Sequence, residues 1–428
     1  MSRPHSLADI AATLSGYDAG ALPVAQAQAF IGRLVQPVDG VELVALRAAL
    51  GRVLARDVVA PFDVPAHDNS AMDGYALRGK ELAGNAPTRL QLAGARLAGQ
   101  QGVFEVAPDA CLRITTGAVM PAGLDTVVPQ EFVTVEGDQV LVPAGCVRPG
   151  DNRRLAGEDL AAGSTVLAAG RLLRPADLGL VASLGIAEVT VTRRLRVAYF
   201  STGDELCSIG EPLAAGCVYD SNRYTMGAML QRLGVDAIDM GVVRDDPAAL
   251  EHAFRQAAEQ ADAVVTSGGV SVGEADHTKR IMAQLGDVLF WRIAMRPGRP
   301  LAIGRIEHGE RSAILFGLPG NPVAVMVTFY AFVRDALLAM GGAKAEPLPM
   351  LRAASTQPIR KKPGRTEYQR GIVSRAADGG WQVAITGAQG SGILRSMSEA
   401  NGLVVLSHEQ GDLAAGEPVD VLPFDGLV

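Results

Sequence analysis

The sequence predicts an α/β multidomain protein built around a doubly wound, mostly parallel sheet. Three observations carry that prediction. Apolar runs at 197–200, 236–243, 263–265 and 313–316 alternate with segments of helical spacing between residues 196 and 340. Each run empties into a loop rich in Gly, Ser, Asp or Asn, and helix starts follow, with Asp246-Pro247 and Asn321-Pro322 placing a capping residue before a first-turn proline. The stretches 88–145 and 345–428 change to short strand-like pieces broken by Gly, Pro and Asp, which adds an inserted small β domain and a C-terminal β-barrel or sandwich.

Read in order, 24–34 has apolar positions at helical spacing, and 43–54 repeats the pattern with Arg47 and Arg52 outward, so both read as helices. The loop 63–77 is dense in Asp, Asn and Ser around Asp73. It reads either as a self-bonded turn or as a loop that presents a carboxylate. Strands are expected at 103–106, 111–115, 126–129, 132–135 and 140–142. Thr116-Gly117 falls at a strand end, where a hydroxyl and an amide either face a ligand or make a turn. The arginine-bearing stretch 148–160 reads as a solvated connector. A strand at 165–167, a helix near 176–184 stopped by Gly185, and a strand at 188–192 follow. The chain thus divides into 1–60 with 155–194, a helical and mixed N-terminal domain; 61–154, the inserted β domain; 195–344, the α/β domain; and 345–428, the C-terminal β domain.

In the α/β domain a helix over 221–233 is capped by Asp220 or Ser221 and stopped by Gly234. The strand 236–243 leads to a helix from Pro247 to about residue 259. The run 263–265 enters Ser267-Gly268-Gly269, then Ser271, Gly273 and Glu274, before a helix with Asp276 as its cap. Strands at 288–293, 301–304 and 313–316 precede Gly317 to Pro322 and a long apolar helix, 323–340. Within the last domain, Arg360 to Arg365 reads as a solvated charged turn, and Gly390-Ser391-Gly392 as a small-residue loop.

A chain of 428 residues exceeds one hydrophobic core. A formal charge of −7 argues against nucleic-acid binding, which needs a basic face. No continuous apolar run suggests a membrane span or a secretory h-region. Cys111, Cys146, Cys207 and Cys217 form no CxxC pair and do not cluster with His, so reduced thiols in a cytoplasmic protein are expected and a zinc site is not.

Ligands of such sheets bind beyond the carboxyl ends of the strands. The loops expected there, 202–205, 244–246, 267–276 and 317–322, carry Glu205, Asp245, Asp246 and Asp276 beside two glycine-rich stretches able to present amides. Singly, each carboxylate reads as a cap or solvated group. Together they suggest Mg²⁺ carrying a phosphorylated ligand, with Arg292, Arg296 and Arg299 as oxyanion donors near the same rim.

The runs DNSAMDGYA (68–76), RITTGAVMPAG (113–123), STGDEL (201–206), YDSNR (219–223), RDDP (244–247), SGGVSVGEADHTK (267–279), RPGRP (296–300) and GLPGNPV (317–323) resemble the molybdopterin molybdenumtransferase family, which comprises bacterial MoeA and the E domains of gephyrin and its plant counterpart. They fall in the family's order across nearly the whole chain. The resemblance implies insertion of molybdate into adenylylated molybdopterin, with AMP release assisted by Mg²⁺. It implies an elongated homodimer, with the cleft between the sheet domain of one subunit and the small β domain of the other. Asp73 and Thr116 would then reach the cleft from the partner chain. Glu205, Asp245 and Asp276 would be the catalytic and Mg²⁺-binding carboxylates, Asp276 foremost. Ser267, Gly268, Gly269, Ser271, Gly273 and Glu274 would cradle phosphate and pterin. Pro319, Gly320, Asn321 and Pro322 would shape the neighbouring loop, and Arg292, Arg296 and Ser391 would serve the substrates. Arginines stand at 292 and 296 where some members carry lysines, which changes a point charge into a planar fork. Implied transient partners are a molybdopterin adenylyltransferase and molybdoenzymes or their chaperones, with no nucleic acid and no membrane. A molybdopterin carrier or scaffold without turnover is the alternative.

Overall fold

The structure, a computed structural model, describes residues 6–425 except 101, 103, 271–275, 345 and 347, and gives only the helical backbone of 276 and 277. Its centre is a six-stranded sheet in the order Asp236–Val243, Arg196–Thr202, Ala263–Ser267, Arg311–Leu318, Pro300–His308, Gly286–Arg292. The first four strands run parallel, and Pro300–His308 runs antiparallel to both of its neighbours. Continuous burial of Ala263–Ser267 follows from helices on both faces.

One face is covered by Pro247–Gln260 and Asp276–Leu285, whose Leu250, Phe254, Ile281 and Met282 pack on Ala198, Phe200 and Leu315. Phe254 meets Phe200 edge-on at 5.3 Å between ring centroids. The other face carries Ser221–Arg232 and the helix of 322–340, joined by Val24–Leu34 from the N-terminus. There Phe30 stands edge-on to Trp291 at 4.9 Å. The 322–340 helix is the one helix among the described residues that is long and apolar enough to cross a bilayer, contrary to the expectation of none; two thirds of its apolar window is buried in this core. It is α-helical at both ends, with a π turn over Phe329–Val333 between them.

The inserted domain is a six-stranded sheet centred on Gly74–Leu77, Ala110–Ile114 and Thr88–Arg96. The long strand Thr88–Arg96 was not expected, because its Gln, Gly and Arg positions blur the alternation; residues 104–106, expected as strand, are irregular. In the C-terminal region Thr366–Arg375, Trp381–Ile385, Leu351–Ser355, Pro418–Pro423 and Gly402–Leu406 close into a five-stranded barrel.

Two further expectations fail. Residues 43–54 are not a helix: Val41–Ala45 pairs antiparallel with Glu188–Thr192, and a 3₁₀ turn, Leu46–Ala48, follows. Leu43 and Leu50, which the helical pattern buries, are exposed. Arg52, placed outward, is buried with its guanidinium on Glu42 and the Thr192 carbonyl. Cross-strand pairing satisfies this backbone, so tertiary context overrides the spacing. The Arg360–Arg365 turn is not wholly solvated either. Lys361 is 4 % exposed and its ammonium donates to the carbonyls of Lys362, His408 and Gln410. The connector 148–160 contributes a two-residue strand, Arg153–Arg154, paired with Asn69–Ser70.

Replacing Phe254 by Ala leaves a cavity under the sheet and is expected to destabilise the α/β domain by about 3–5 kcal/mol. Chemical denaturation followed by circular dichroism checks this; an unchanged midpoint would contradict the packing described.

Candidate functional site

All four parallel strands end at one rim, at Thr202, Val243, Ser267 and Leu318. A cavity of about 670 Å³ opens there. Thr202, Gly203 and Glu205 border it from the first loop, Asp245 from the second, Ser267, Gly268 and Gly269 from the third, and Pro319, Gly320 and Asn321 from the fourth. Asp246 does not; its carboxylate caps the next helix by accepting from the Ala249 N–H at 2.9 Å.

The third loop turns sharply because Gly268 and Gly269 hold φ of +90° and +69°. A Cβ on Gly268 would lie 2.5 Å from the Thr202 carbonyl oxygen, and one on Gly269 2.8 Å from Thr278 Cγ2. Side chains at these positions are therefore excluded on conformation and on space.

Behind the loops lies a buried polar relay. Asn222 Nδ2 donates to the Gly320 carbonyl at 2.7 Å and to Ser267 Oγ at 3.3 Å. Ser201 Oγ donates to Asp220 Oδ1 and contacts Ser267 Oγ, both at 3.0 Å. Because the Ser201 proton goes to the carboxylate, Ser267 is the donor between the two hydroxyls. Asp220 Oδ1 also accepts from the Arg223 N–H, capping Ser221–Arg232. Thr202 Oγ1 and Asn222 Oδ1, both from residues bordering the cavity, are buried without a hydrogen-bond partner among the described residues.

The far wall comes from the C-terminal barrel. Met295–Arg296 adds to the barrel as a parallel strand beside Thr366–Glu367, and this brings Arg296 and Arg299 together with Gln389, Gly390 and Ser391. The Ser391 carbonyl accepts from the Val323 N–H, so the loop is fixed to the start of the 322–340 helix. Arg370, 1 % exposed, donates to Ser396 Oγ and the Gly390 carbonyl, both at 3.0 Å, with no carboxylate among these partners. Burial, then the nearby Arg296 guanidinium, pushes its pKa down to about 10. Two neighbouring guanidinium groups, one of them buried, make this wall a place where an anion is stabilised.

The expected site residues divide accordingly. Glu205, Asp245, Ser267, Gly268, Gly269, Arg296, Pro319, Gly320, Asn321 and Ser391 border one cavity. Pro322 instead opens the helix behind it. Arg292 faces an adjoining pocket with Lys279, Phe290 and Trp291. Ser271, Gly273 and Glu274 lie outside the described residues. Asp276 is the first residue of a helix whose backbone alone is described there. Asp73 and Thr116 come together but border no part of this cavity: Asp73 Oδ1 accepts from the Thr116 N–H at 2.7 Å and its hydroxyl at 2.8 Å. Those two bonds, the backbone one first, hold the exposed Asp73 carboxyl below its ordinary range. Among the described residues no three His, Cys, Asp or Glu side chains are grouped to hold a metal ion.

Sequence reasoning did not assign Thr202, Asn222, Thr278, Gln389 or Arg370. Asn222 was within reach, since it follows the capping Asp220. Arg370 was not, because its role depends on the barrel docking beside Arg296.

Family models match the chain in three consecutive parts. That of the MoeA N-terminal region (domain I and II) matches residues 22–185, that of a probable molybdopterin binding domain 198–339, and that of the MoeA C-terminal region (domain IV) 352–424. A molybdopterin molybdenumtransferase of Haemophilus influenzae is 42% identical over 388 residues, covering 90% of this chain and 95% of the relative. Another, from a Nostoc species, is 38% identical over 89% of this chain and 88% of its own length. The crystal structure of a molybdopterin biosynthesis moeA protein from Pyrococcus horikoshii OT3 superposes with a TM-score of 0.80 at 29% identity, covering 94% of this chain and 100% of that one.

Two outcomes follow from the geometry. Gly268→Ala is expected to cost about 1–3 kcal/mol in backbone strain, whereas Gly320→Ala, whose Cβ would find its nearest neighbour 3.8 Å away, is expected to be tolerated; thermal unfolding compares the two, and equal stability would contradict the tight approach at Gly268. Thr116→Val removes the hydroxyl donor and keeps the N–H, so the Asp73 pKa is expected to rise toward its ordinary value in a carboxyl NMR titration. By linkage, a depressed pKa gives stability present above the unfolded-state value and lost as pH falls through the folded-state value, so in Thr116→Val the contribution is smaller and its loss is complete at a higher pH. A pKa unmoved by Thr116→Val would refute the hydroxyl bond.

Proposed function

The chain belongs to the molybdopterin molybdenumtransferase family, transferases of molybdenum cofactor biosynthesis, and on that premise we propose that its rim cavity binds adenylylated molybdopterin with molybdate and releases AMP as the metal enters the dithiolene. The observation that carries this reading is the composition of the two walls. One presents Ser267, Gly268 and Gly269 with the carboxylates of Glu205 and Asp245; the other presents Arg296, Arg299 and Ser391, with buried Arg370 behind them.

Molybdate is a dianion and needs donors. Arg296 and Arg299, carried as forks on a fixed turn, and the Ser391 loop supply them, and Arg370 holds that loop through the Gly390 carbonyl. On the opposite wall Ser267 has its hydroxyl committed to Ser201, so its position is set before any ligand arrives. The third loop borders the cavity with Gly268 and Gly269, which offer backbone without side chains to an approaching ligand.

Mg²⁺ fits this donor set in a limited way. It is ordinarily held by one or two carboxylates completed by phosphate oxygens and water, and Glu205 and Asp245 provide two at the cavity, with Asp276 proposed from the sequence as the third. When bound it would neutralise charge on the phosphoanhydride. The protein's own carboxylates orient water at the same edge.

Asp73, its carboxyl held below the ordinary range by Thr116, stands with Thr116 apart from the cavity of its own chain. That separation supports a homodimer in which each subunit lends this pair to its partner's cleft. Handover to molybdoenzymes or their chaperones, and receipt from a molybdopterin adenylyltransferase, are part of the same reading, as is a cytoplasmic location, with which four free thiols accord.

The test is AMP release from adenylylated molybdopterin with Mg²⁺, with and without molybdate. Release is expected to require molybdate and to fall by about 10²–10⁴-fold in Asp276→Ala. Tight binding without release in wild type would overturn the enzyme reading; undiminished release in Asp276→Ala would remove that residue from the site.

A further inference from the structure

Cys207 and Cys217 sit outside the cavity, in a small ladder that is attached to its rim. Leu206–Cys207 pairs in parallel with Val218–Tyr219, Leu206 opposite Val218 and Cys207 opposite Tyr219. By that register Glu205 precedes one strand opposite Cys217. Cys207, two residues on from Glu205, is therefore a diagonal neighbour of Cys217 on the same face. The neighbouring Cys207 thiol first, then burial and the charges of Cys207 and Glu205, raise the Cys217 pKa. Both cysteines are half-buried and neither is in a disulfide.

The loop between them is open to reagents. Residues 209–216 are exposed throughout, Ile209 and Leu213 included, and the turn is short, with the Ser208 N–H on Glu211 Oε2 and the Cys217 N–H on the Ala214 carbonyl. The ladder in turn is bonded to the site at both ends. The Val218 N–H donates to the Glu205 carbonyl at 2.8 Å, and the Asp220 N–H to the Cys207 carbonyl at 3.0 Å. Glu205 borders the cavity, and Asp220 anchors Ser201 behind it.

We propose that Cys207 and Cys217 form a reversible modification site, a dithiol that a low-molecular-weight disulfide such as oxidised glutathione converts to an internal disulfide, displacing the Glu205 edge of the cavity. One thiolate attacks a sulfur of the small disulfide, forming a mixed disulfide and releasing one small thiolate. The second cysteine, deprotonated, attacks the protein sulfur of that mixed disulfide and releases the other. Two protons leave the cysteines, two electrons pass from them to the small disulfide, and two small thiols result. A disulfide holds its Cα atoms about 4.4–6.8 Å apart, less than the roughly 7–8 Å of diagonal neighbours in a ladder, so closing it draws the two strands together and moves the carbonyl bonds that hold Glu205 and Asp220.

The test uses the full chain, reduced, freed of reductant and incubated with oxidised glutathione. No Lys or Arg lies between residues 196 and 223, so trypsin places both thiols in the single peptide 197–223. That peptide is expected to become lighter by two hydrogens and to accept two alkylating groups only after dithiothreitol; in Cys217→Ser it is expected to carry one glutathione instead. Deuterium exchange at residues 203–206 and 218–222 is expected to change on oxidation and to revert on reduction. Molybdate-dependent AMP release, the one arm that rests on the function proposed above, is expected to be lost on oxidation and restored by dithiothreitol, while a Cys207→Ser/Cys217→Ser protein keeps its activity through the treatment. Two separate glutathione adducts without an internal bond would overturn the proposal. So would an internal bond that leaves exchange at the rim unchanged, or one that leaves turnover undiminished in an active enzyme. If the bond and the exchange change appear in a protein with no turnover in its reduced state, the function proposed above fails and the dithiol site stands.

Discussion

The hydroxyl of Ser201 is where three chain segments become one site. It donates to Asp220 and accepts from Ser267, which in turn accepts from Asn222, and Asn222 donates onward to Gly320. The strands Arg196–Thr202 and Ala263–Ser267, the cap of the helix after Asp220 and the loop before the 322–340 helix are all tied through these few bonds. In a dry interior each such group is costly to leave unpaired, so the network holds the loops in one arrangement. The glycines at 268 and 269 depend on that arrangement, because their loop passes within contact distance of Thr202.

The second constraint is electrostatic. The barrel meets the sheet domain through the two-residue strand Met295–Arg296, and that junction sets Arg296 near the buried Arg370. Like charges held together in a low-dielectric setting are unfavourable until an anion joins them. One side of the cavity thus presents guanidinium groups, and the other the carboxylates of Glu205 and Asp245.

Much of this was legible in the sequence because local signals agreed with tertiary structure. Asp246-Pro247 and Asn321-Pro322 announced helix starts, apolar runs announced buried strands, and the loops that follow them did converge on one rim. Where local and tertiary signals conflicted, the reading failed. The spacing of 43–54 suits a helix, but its backbone finds partners in Glu188–Thr192 and leaves Leu43 in solvent. Lys361 looks solvated in a basic run, yet three carbonyls supplied by residues 362, 408 and 410 replace its water. Arg370 and Asn222 acquire meaning only when the barrel and the Gly320 loop are in place, and no short-range pattern encodes that. The displacement of Asp73 and Thr116 from their own cavity is likewise a property of domain placement.

On the function proposed above, a complete cleft needs the rim of one subunit and the Asp73 loop of its partner. Differently tagged Asp73→Ala and Asp245→Ala chains, each inactive alone, can be co-expressed and their mixed dimers isolated through both tags. A mixed dimer retains one intact cleft of two, so purified mixed dimers are expected to show about half of wild-type molybdate-dependent AMP release. Mixed dimers as inactive as either parent would contradict assembly of the cleft across the interface.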